Sequence, residues 1–291
     1  MTPPTLTLNG QTVPLGDEAN LLELIRRAGI DLPTFCYHSE LSLYGACRLC
    51  IVDIEGRGIQ ASCAIRPEAG MVVHTHTAEL RETRKMTVEL LLANGHQGCV
   101  TCRKSPDCRL LDIARRLGVD TVRFRATRDP VPLDRSGPAL IRDPNKCVLC
   151  GDCVRFCAEK QGVGAIHFAH RGNRSTVTPA FGAGLGDGEC VHCGQCAAIC
   201  PTGAILPRSH AAEAWALLQN PEKTVVAQIA PAVRVAIGEA FGLPAGESTT
   251  GRIVAALRAL GFDQVYDTAF TADLTVLEEA HEFLARHERG E

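Results

Sequence analysis

The sequence predicts an α+β chain assembled from several small, cysteine-stapled modules and completed by a small α/β unit. Three observations predict it. Fifteen cysteines stand in 291 residues, they fall into groups with short, regular gaps, and strand-like and helix-like segments alternate around them. That length accommodates about two ordinary domains, or more when some are small and held by metal. In a secreted miniprotein so many cysteines would mean disulfides. Here the chain is long, the count is odd, and the amino terminus, MTPPTLTLNG, lacks the charged-then-apolar layout of a secretory signal. In a reducing cytoplasm, the expected location, thiols packed this densely are metal ligands. With 45% hydrophobic and 22% charged residues and a net charge of −3, the composition offers no electrostatic footprint for nucleic acid or a membrane surface. No apolar run approaches the ~18 residues of a membrane span.

The first module spans residues 1–78. Residues 5–8 and 11–15, joined at Asn9-Gly10, form the alternating runs and turn dipeptide of a β-hairpin. Residues 18–29 carry Leu21, Leu22, Leu24 and Ile25 on a helical stripe that ends at Gly29. Cys36, Cys47, Cys50 and Cys63 follow as C-x10-C-x2-C-x12-C, with Cys47 and Cys50 on a loop (YGACRLCIVDIEG) that runs into a strand. Gly45 allows the backbone to approach a cluster closely and place amide donors near its sulfurs. Hairpin, helix, cysteine loop and strand look like a β-grasp ferredoxin holding a [2Fe–2S] cluster. The spacing departs from the plant-type C-x4-C-x2-C, and the longer first gap resembles the [2Fe–2S] domain of respiratory complex I and iron-only hydrogenases. A structural zinc site is the competing reading.

The second module, 79–118, opens on a helix at 79–93 and reads His96, Cys99, Cys102, Cys108, or H-x2-C-x2-C-x5-C. A lone histidine is usually a surface or core residue, but this one opens a run of three cysteines on a Gly-containing loop. Imidazole in place of a thiolate makes such a site less negative and raises its reduction potential. The pattern resembles the [4Fe–4S] site with one histidine ligand shared by the complex I large subunit, iron-only hydrogenases and some formate dehydrogenases. Zinc accepts the same ligand types and is again the alternative.

A polar, proline-containing connector, 119–137, leads to the third module, 138–209, which contains an internal repeat. Cys147, Cys150, Cys153 and Cys157 give C-x2-C-x2-C-x3-C, and Cys190, Cys193, Cys196 and Cys200 repeat it 43 residues later. This is the bacterial two-cluster motif, in which the fourth cysteine of each run ligates the other cluster. One [4Fe–4S] cluster is therefore expected on Cys147, Cys150, Cys153 and Cys200, and another on Cys157, Cys190, Cys193 and Cys196. Pro201 follows the last cysteine as the motif requires, whereas Ala158 stands at the equivalent place in the first run. His38, His74, His167 and His192 are expected to be exposed or to sit beside ligands, and Trp215 to be a core or interface residue. Neither G-x-G-x-x-G after a strand nor a Walker loop is present.

From 210 onward a short helical stretch precedes an apolar strand (VVAQIA), a helix opened by Pro231, a helix at 249–260, a strand at 264–268 and a charged helix at 272–289. In this order, with NKCVLCGDCVRFC, CVHCGQCAAICPTGAI, QIAPAVRVAIGE and TAFTADLTVLEEA, the chain resembles the catalytic subunit of iron-only ([FeFe]) hydrogenases, especially the multi-subunit electron-bifurcating kind. It also resembles the amino-terminal region of the complex I large subunit. The family's active-site cluster needs four further cysteines on later segments, and fifteen cysteines plus His96 fill four sites with none left over. The expectation is thus an electron-relay subunit without a catalytic residue of its own and without the hydrogen-activating cluster, its last segment a truncated hydrogenase-like unit.

The resemblance implies a flavoprotein partner carrying FMN and an NAD(H) site, and ferredoxin as low-potential donor or acceptor. A second, NADP(H)-handling flavoprotein would occupy the place of the absent lobe, making the whole a ferredoxin-linked transhydrogenase. The alternatives are a hydrogenase subunit cut short, an electron-input subunit of formate dehydrogenase or a complex I-like enzyme, and a structural zinc or assembly protein.

Overall fold

A computed structural model describes residues 3–95, 98–125 and 129–291. His96 lies outside the described residues. The chain divides into two units, 1–208 and 209–291.

In the first unit, β1 (Thr5–Leu8) and β2 (Gln11–Pro14) form the expected hairpin. Asn9 and Gly10 both take positive φ, 50° and 83°, as a two-residue turn matched to strand twist requires. Helix α1 (Leu21–Arg27) starts with the apolar stripe at Leu21, three residues into the predicted 18–29 segment, because the Asn20 side chain caps it by accepting from the Glu23 amide. Three further strands, β3 (Ile51–Ile54), β4 (Gly58–Ala61) and β5 (Val72–His74), complete a mixed sheet in the order β2-β1-β5-β3-β4. Beta1 runs parallel to β5, and the other neighbours are antiparallel. Leu21, Leu22, Leu24 and Ile25 of α1 close the core with Leu6, Leu8, Val52, Ile54 and Val73.

Helix α2 (Ala78–Asn94), capped by Thr77, packs on β3 and on α3 (Arg109–Arg116). The connector that follows is anchored at both ends. Arg123 pairs with the enclosed Glu89 carboxylate at 2.7 and 3.0 Å. Asp134 accepts from the Leu185 amide at 2.9 Å and from Arg142 at 3.3 Å.

The repeat region contains β6 (Leu140–Arg142), α4 (Asp152–Arg155), β7 (His167–Ala169), β8 (Thr176–Thr178), α5 (Gln195–Ile199) and β9 (Ile205–Pro207). Two antiparallel pairs, β6–β9 and β7–β8, flank the contact between α4 and α5. Alpha4 continues through a π-helical turn to Lys160. That explains Ala158: the backbone is still helical there, where a proline would remove a donor. Helix α5 has already ended when Pro201 arrives.

The second unit comprises α6 (Ala211–Leu218), β10 (Val226–Ile229), α7 (Pro231–Ala236), α8 (Thr250–Leu260), β11 (Gln264–Asp267) and α9 (Thr268–Arg289). Beta10 and β11 are parallel, joined by the α7–α8 crossover. Asp267 caps α9 by accepting from the Ala269 amide and holds Arg234 at 2.6 Å. Phe270, Leu274, Leu277 and Phe283 of α9 are exposed in the chain. Among the described residues, no helix is long and apolar enough to cross a membrane.

Candidate metal centres

The β3–β4 hairpin explains the twelve-residue gap before Cys63. Ile51 pairs with Ala61, so the chain returns antiparallel and sets the Ser62–Ala64 turn beside Cys50. The Ser62 amide and hydroxyl both donate to the Cys50 carbonyl, at 3.1 and 2.6 Å. At the other end of the loop, the Cys47 amide donates to Cys36 Sγ at 3.3 Å, and the Phe35 amide to Cys47 Sγ at 3.4 Å. Gly45 has φ 66°, and Arg48 is also left-handed at 56°. Cys36, Cys50 and Cys63 are each about 1% exposed. The thiols associate in pairs: Cys36 donates to Cys47, drawing it down to about 5, and Cys63 donates to Cys50, drawing it down to about 7. Both donors are raised.

Cys99, Cys102 and Cys108 line a second cavity together with Lys146, Cys147 and Val148. Burial alone would lower the Lys146 ammonium, but Asp143 at 3.3 Å and the Cys102 thiol outweigh it and hold the amine above its ordinary range. Whether His96 joins these three thiols falls outside the described residues.

The two repeats share a backbone device that the sequence did not reveal. In each C-x2-C turn, the residue before the second cysteine and the glycine after it are left-handed: Leu149 and Gly151 at 55° and 76°, His192 and Gly194 at 54° and 79°. Such alternation turns successive amides toward one concave side, and the Leu149 amide donates to Cys147 Sγ at 3.4 Å. Near the second turn, the Ala165 amide donates to Cys157 Sγ at 3.3 Å. One cavity is lined by Cys147, Cys150, Cys153 and Cys200, and another by Cys157, Cys190, Cys193 and Cys196. The structure thus brings the fourth cysteine of each run to the other run's cavity. Burial pushes the Cys150 and Cys153 thiols up, and Cys196 up to about 12. Thiols so placed ionise when a metal takes the proton's place.

Among the described residues no three His, Cys, Asp or Glu side chains converge on a point as for a single ion. The thiols instead surround cavities with amides aimed at sulfur, a donor set that fits multi-iron clusters. The sites also adjoin. Cys36 and Cys150 belong to one buried apolar cluster, packed with Cys47, Cys108 and Val148. Arg155 on α4 donates to the Cys36 carbonyl at 2.9 Å and to Asp152 at 2.6 Å, beneath the Tyr44 ring. Of the remaining histidines, His192 Nδ1 lies 3.9 Å from Cys190 Sγ, while His38 accepts from the Glu40 amide.

A solved structure, that of an NAD+-reducing [NiFe]-hydrogenase in the H2-reduced state, superposes with a TM-score of 0.66 at 35% identity. The match covers 71% of this chain and 88% of that one. This chain belongs to the iron–sulfur relay subunits of hydrogenase-type oxidoreductase complexes. Family models match it in succession: a 2Fe-2S iron–sulfur cluster binding domain at 2–78, an NADH-ubiquinone oxidoreductase-G iron–sulfur binding region at 84–123, a 4Fe-4S dicluster domain at 146–204, and the C-terminal domain of the iron-only hydrogenase large subunit at 223–291. The chain is similar to the NADP-reducing hydrogenase subunit HndD of Solidesulfovibrio fructosivorans, 38% identical over 97% of this chain and 49% of that protein. Iron hydrogenase 1 of Clostridium pasteurianum is 31% identical over 98% and 50%. The chain spans about half the length of these relatives.

Proposed function

We propose that the chain holds one [2Fe–2S] and three [4Fe–4S] clusters and relays electrons between a flavoprotein partner, bearing FMN and an NAD(P)(H) site, and ferredoxin. In this assignment Cys36, Cys47, Cys50 and Cys63 hold the two-iron cluster on a β-grasp sheet. His96, Cys99, Cys102 and Cys108 hold one four-iron cluster, and the two crossed sets hold the others. The observation that carries the reading is the adjacency of the thiol-lined cavities. The Cys147–Cys150–Cys153–Cys200 site borders the two-iron loop through Cys36 and Arg155, and the Cys99–Cys102–Cys108 cavity through Cys147. Across the α4–α5 contact it faces the cavity of Cys157, Cys190, Cys193 and Cys196. Two sites therefore adjoin one central site, and the fourth lies on its other side, where Cys193 is exposed.

The clusters supply one-electron carriers when bound. The chain's own residues fix their order, bury Cys36, Cys50, Cys63, Cys150 and Cys200, and aim amides at the sulfurs of Cys36, Cys47, Cys147 and Cys157, which stabilises the reduced forms. The test is iron and acid-labile sulfide analysis with EPR on anaerobically prepared protein. About fourteen irons per chain is expected; about eight, or abundant zinc, would overturn the assignment. Reduction of NAD(P)+ by the intact native complex with reduced ferredoxin tests the partners. The hydrogenase-domain match at 223–291 favours a second reading, a portion of an iron-only hydrogenase catalytic subunit. The mass of the native polypeptide and a hydrogen-evolution assay on it separate the two.

A further inference from the structure

Arg84 stands in a run of charged residues, RETRK, that reads as a solvated helix face. It is instead 2% exposed, while Arg81 and Glu82 beside it are exposed. Its guanidinium crosses from α2 to the cysteine loop. Nε donates to the Leu49 carbonyl at 3.0 Å, Nη1 to the Thr75 carbonyl at 2.9 Å, and Nη2 to the Ile51 carbonyl. Leu49 and Ile51 flank Cys50. Among the described residues no carboxylate pairs with it; burial pushes the guanidinium below its ordinary range, and the Cys50 thiol acts in the other direction.

A buried cation satisfied only by neutral carbonyls is costly. Three carbonyls could be served by neutral donors, so hydrogen bonding alone does not account for a charge here. Four thiolates and two sulfides outweigh two ferric ions, and each electron accepted adds negative charge. A fixed cation behind Cys50 offsets that charge in a low-dielectric setting, where its effect is large.

Resting on the ligand assignment above, we propose that Arg84 is a built-in countercharge for the two-iron site, a positioning residue that raises its reduction potential while locking the Cys47–Cys50 loop. It joins two modules for this purpose: the cation comes from the helix that leads into the Cys99–Cys102–Cys108 region, and the thiol it serves lies on the sheet module.

The test is an anaerobic redox titration of the intact chain, followed by EPR of the reduced [2Fe–2S] signal, in the parent, Arg84→Gln and Arg84→Lys. Gln keeps donors without charge, and Lys keeps charge with fewer donors. Arg84→Gln should shift the reduction equilibrium at least about tenfold toward the oxidised form, ~59 mV for a one-electron couple. Arg84→Lys should stay within about threefold of the parent, with the [4Fe–4S] signals unmoved in both. A Gln variant titrating with the parent overturns the proposal. Should Gln fail to retain the cluster, Lys decides: a parent-like potential supports a charge role, and a tenfold fall overturns it. A parent chain with no [2Fe–2S] signal would overturn the ligand assignment, whereas a normal signal indifferent to Gln overturns the Arg84 role alone.

Discussion

Replacing Arg155 by methionine should release the two-iron loop from the central cluster site. Arg155 and Asp152 side chains are 10% and 5% exposed. The guanidinium bonds Asp152 at 2.6 Å, the Cys36 carbonyl at 2.9 Å and the Ser42 carbonyl, and lies 5.5 Å from the Tyr44 ring centroid. Methionine retains the stem's packing and removes every donor. Burial already pushes the Asp152 carboxyl up to about 6, and Arg155 is the chief influence in the other direction. Breaking a buried pair by deleting one partner costs about 3–5 kcal/mol. The two carbonyl bonds add to this less than their separate worth of ~1.5–3 kcal/mol each, because all three share one side chain. Ser42–Glu159 and Lys160–Glu40 contacts remain, but they are exposed and screened by salt. Hydrogen exchange of amides 38–46, measured on the cluster-loaded chain, is the assay. A loss of about 3 kcal/mol corresponds to exchange faster by about a hundredfold. Adding Asp152→Asn should recover part of the protection, because the unpaired charge goes. Exchange within about threefold of the parent in Arg155→Met, or no recovery in the double variant, would refute the clamp and its charge-pair origin respectively.

Other outcomes are open to direct measurement. Cys157→Ser should perturb the cluster of Cys190, Cys193 and Cys196, and Cys147→Ser the other one; EPR losses at a single common cluster would contradict the crossed cavities. His96→Cys should keep a [4Fe–4S] cluster but lower its potential, since thiolate adds negative charge at iron; an unmoved or higher potential in a redox titration would exclude His96 as a ligand. Asp134→Ala leaves the buried Arg142 guanidinium with the Val177 carbonyl alone among the described residues and should cost about 3 kcal/mol, read as faster exchange of the Leu185 amide. Burial would raise the Asp134 carboxyl, but Ser136, the Leu185 amide and Arg142 hold it below its usual value. A depressed acid gives its stability in full above the unfolded pKa and loses it only as pH falls through the folded one. The Asp134→Ala deficit should therefore be the same between about pH 6 and pH 8.

Local chemistry determined much of this protein in advance. The C-x2-C spacings, the 43-residue repeat and the Asn9-Gly10 turn are short-range patterns whose geometry follows from a few bonds, so the hairpin, α2, the strands of the second unit and the four candidate ligand sets could be read from residues alone. Which cysteines share a cavity followed from the motif; that the cavities adjoin did not, because adjacency depends on how α2, α3 and α4 pack. Beta4 and β5 went unread, since GIQA and VVH are too short and too weakly alternating to stand out, and they become strands only when the sheet offers them partners. Arg84 and Arg155 show the limit most clearly. Charged runs on helices usually face water, and nothing in RETRK or CVRFC marks one arginine for burial. Only the tertiary structure supplied Leu49, Thr75 and Ile51 carbonyls to one of them, and Asp152 and Cys36 to the other. Burial of a charge is decided by what lies opposite it in space, and those partners are 9 to 119 residues away along the chain, save Asp152.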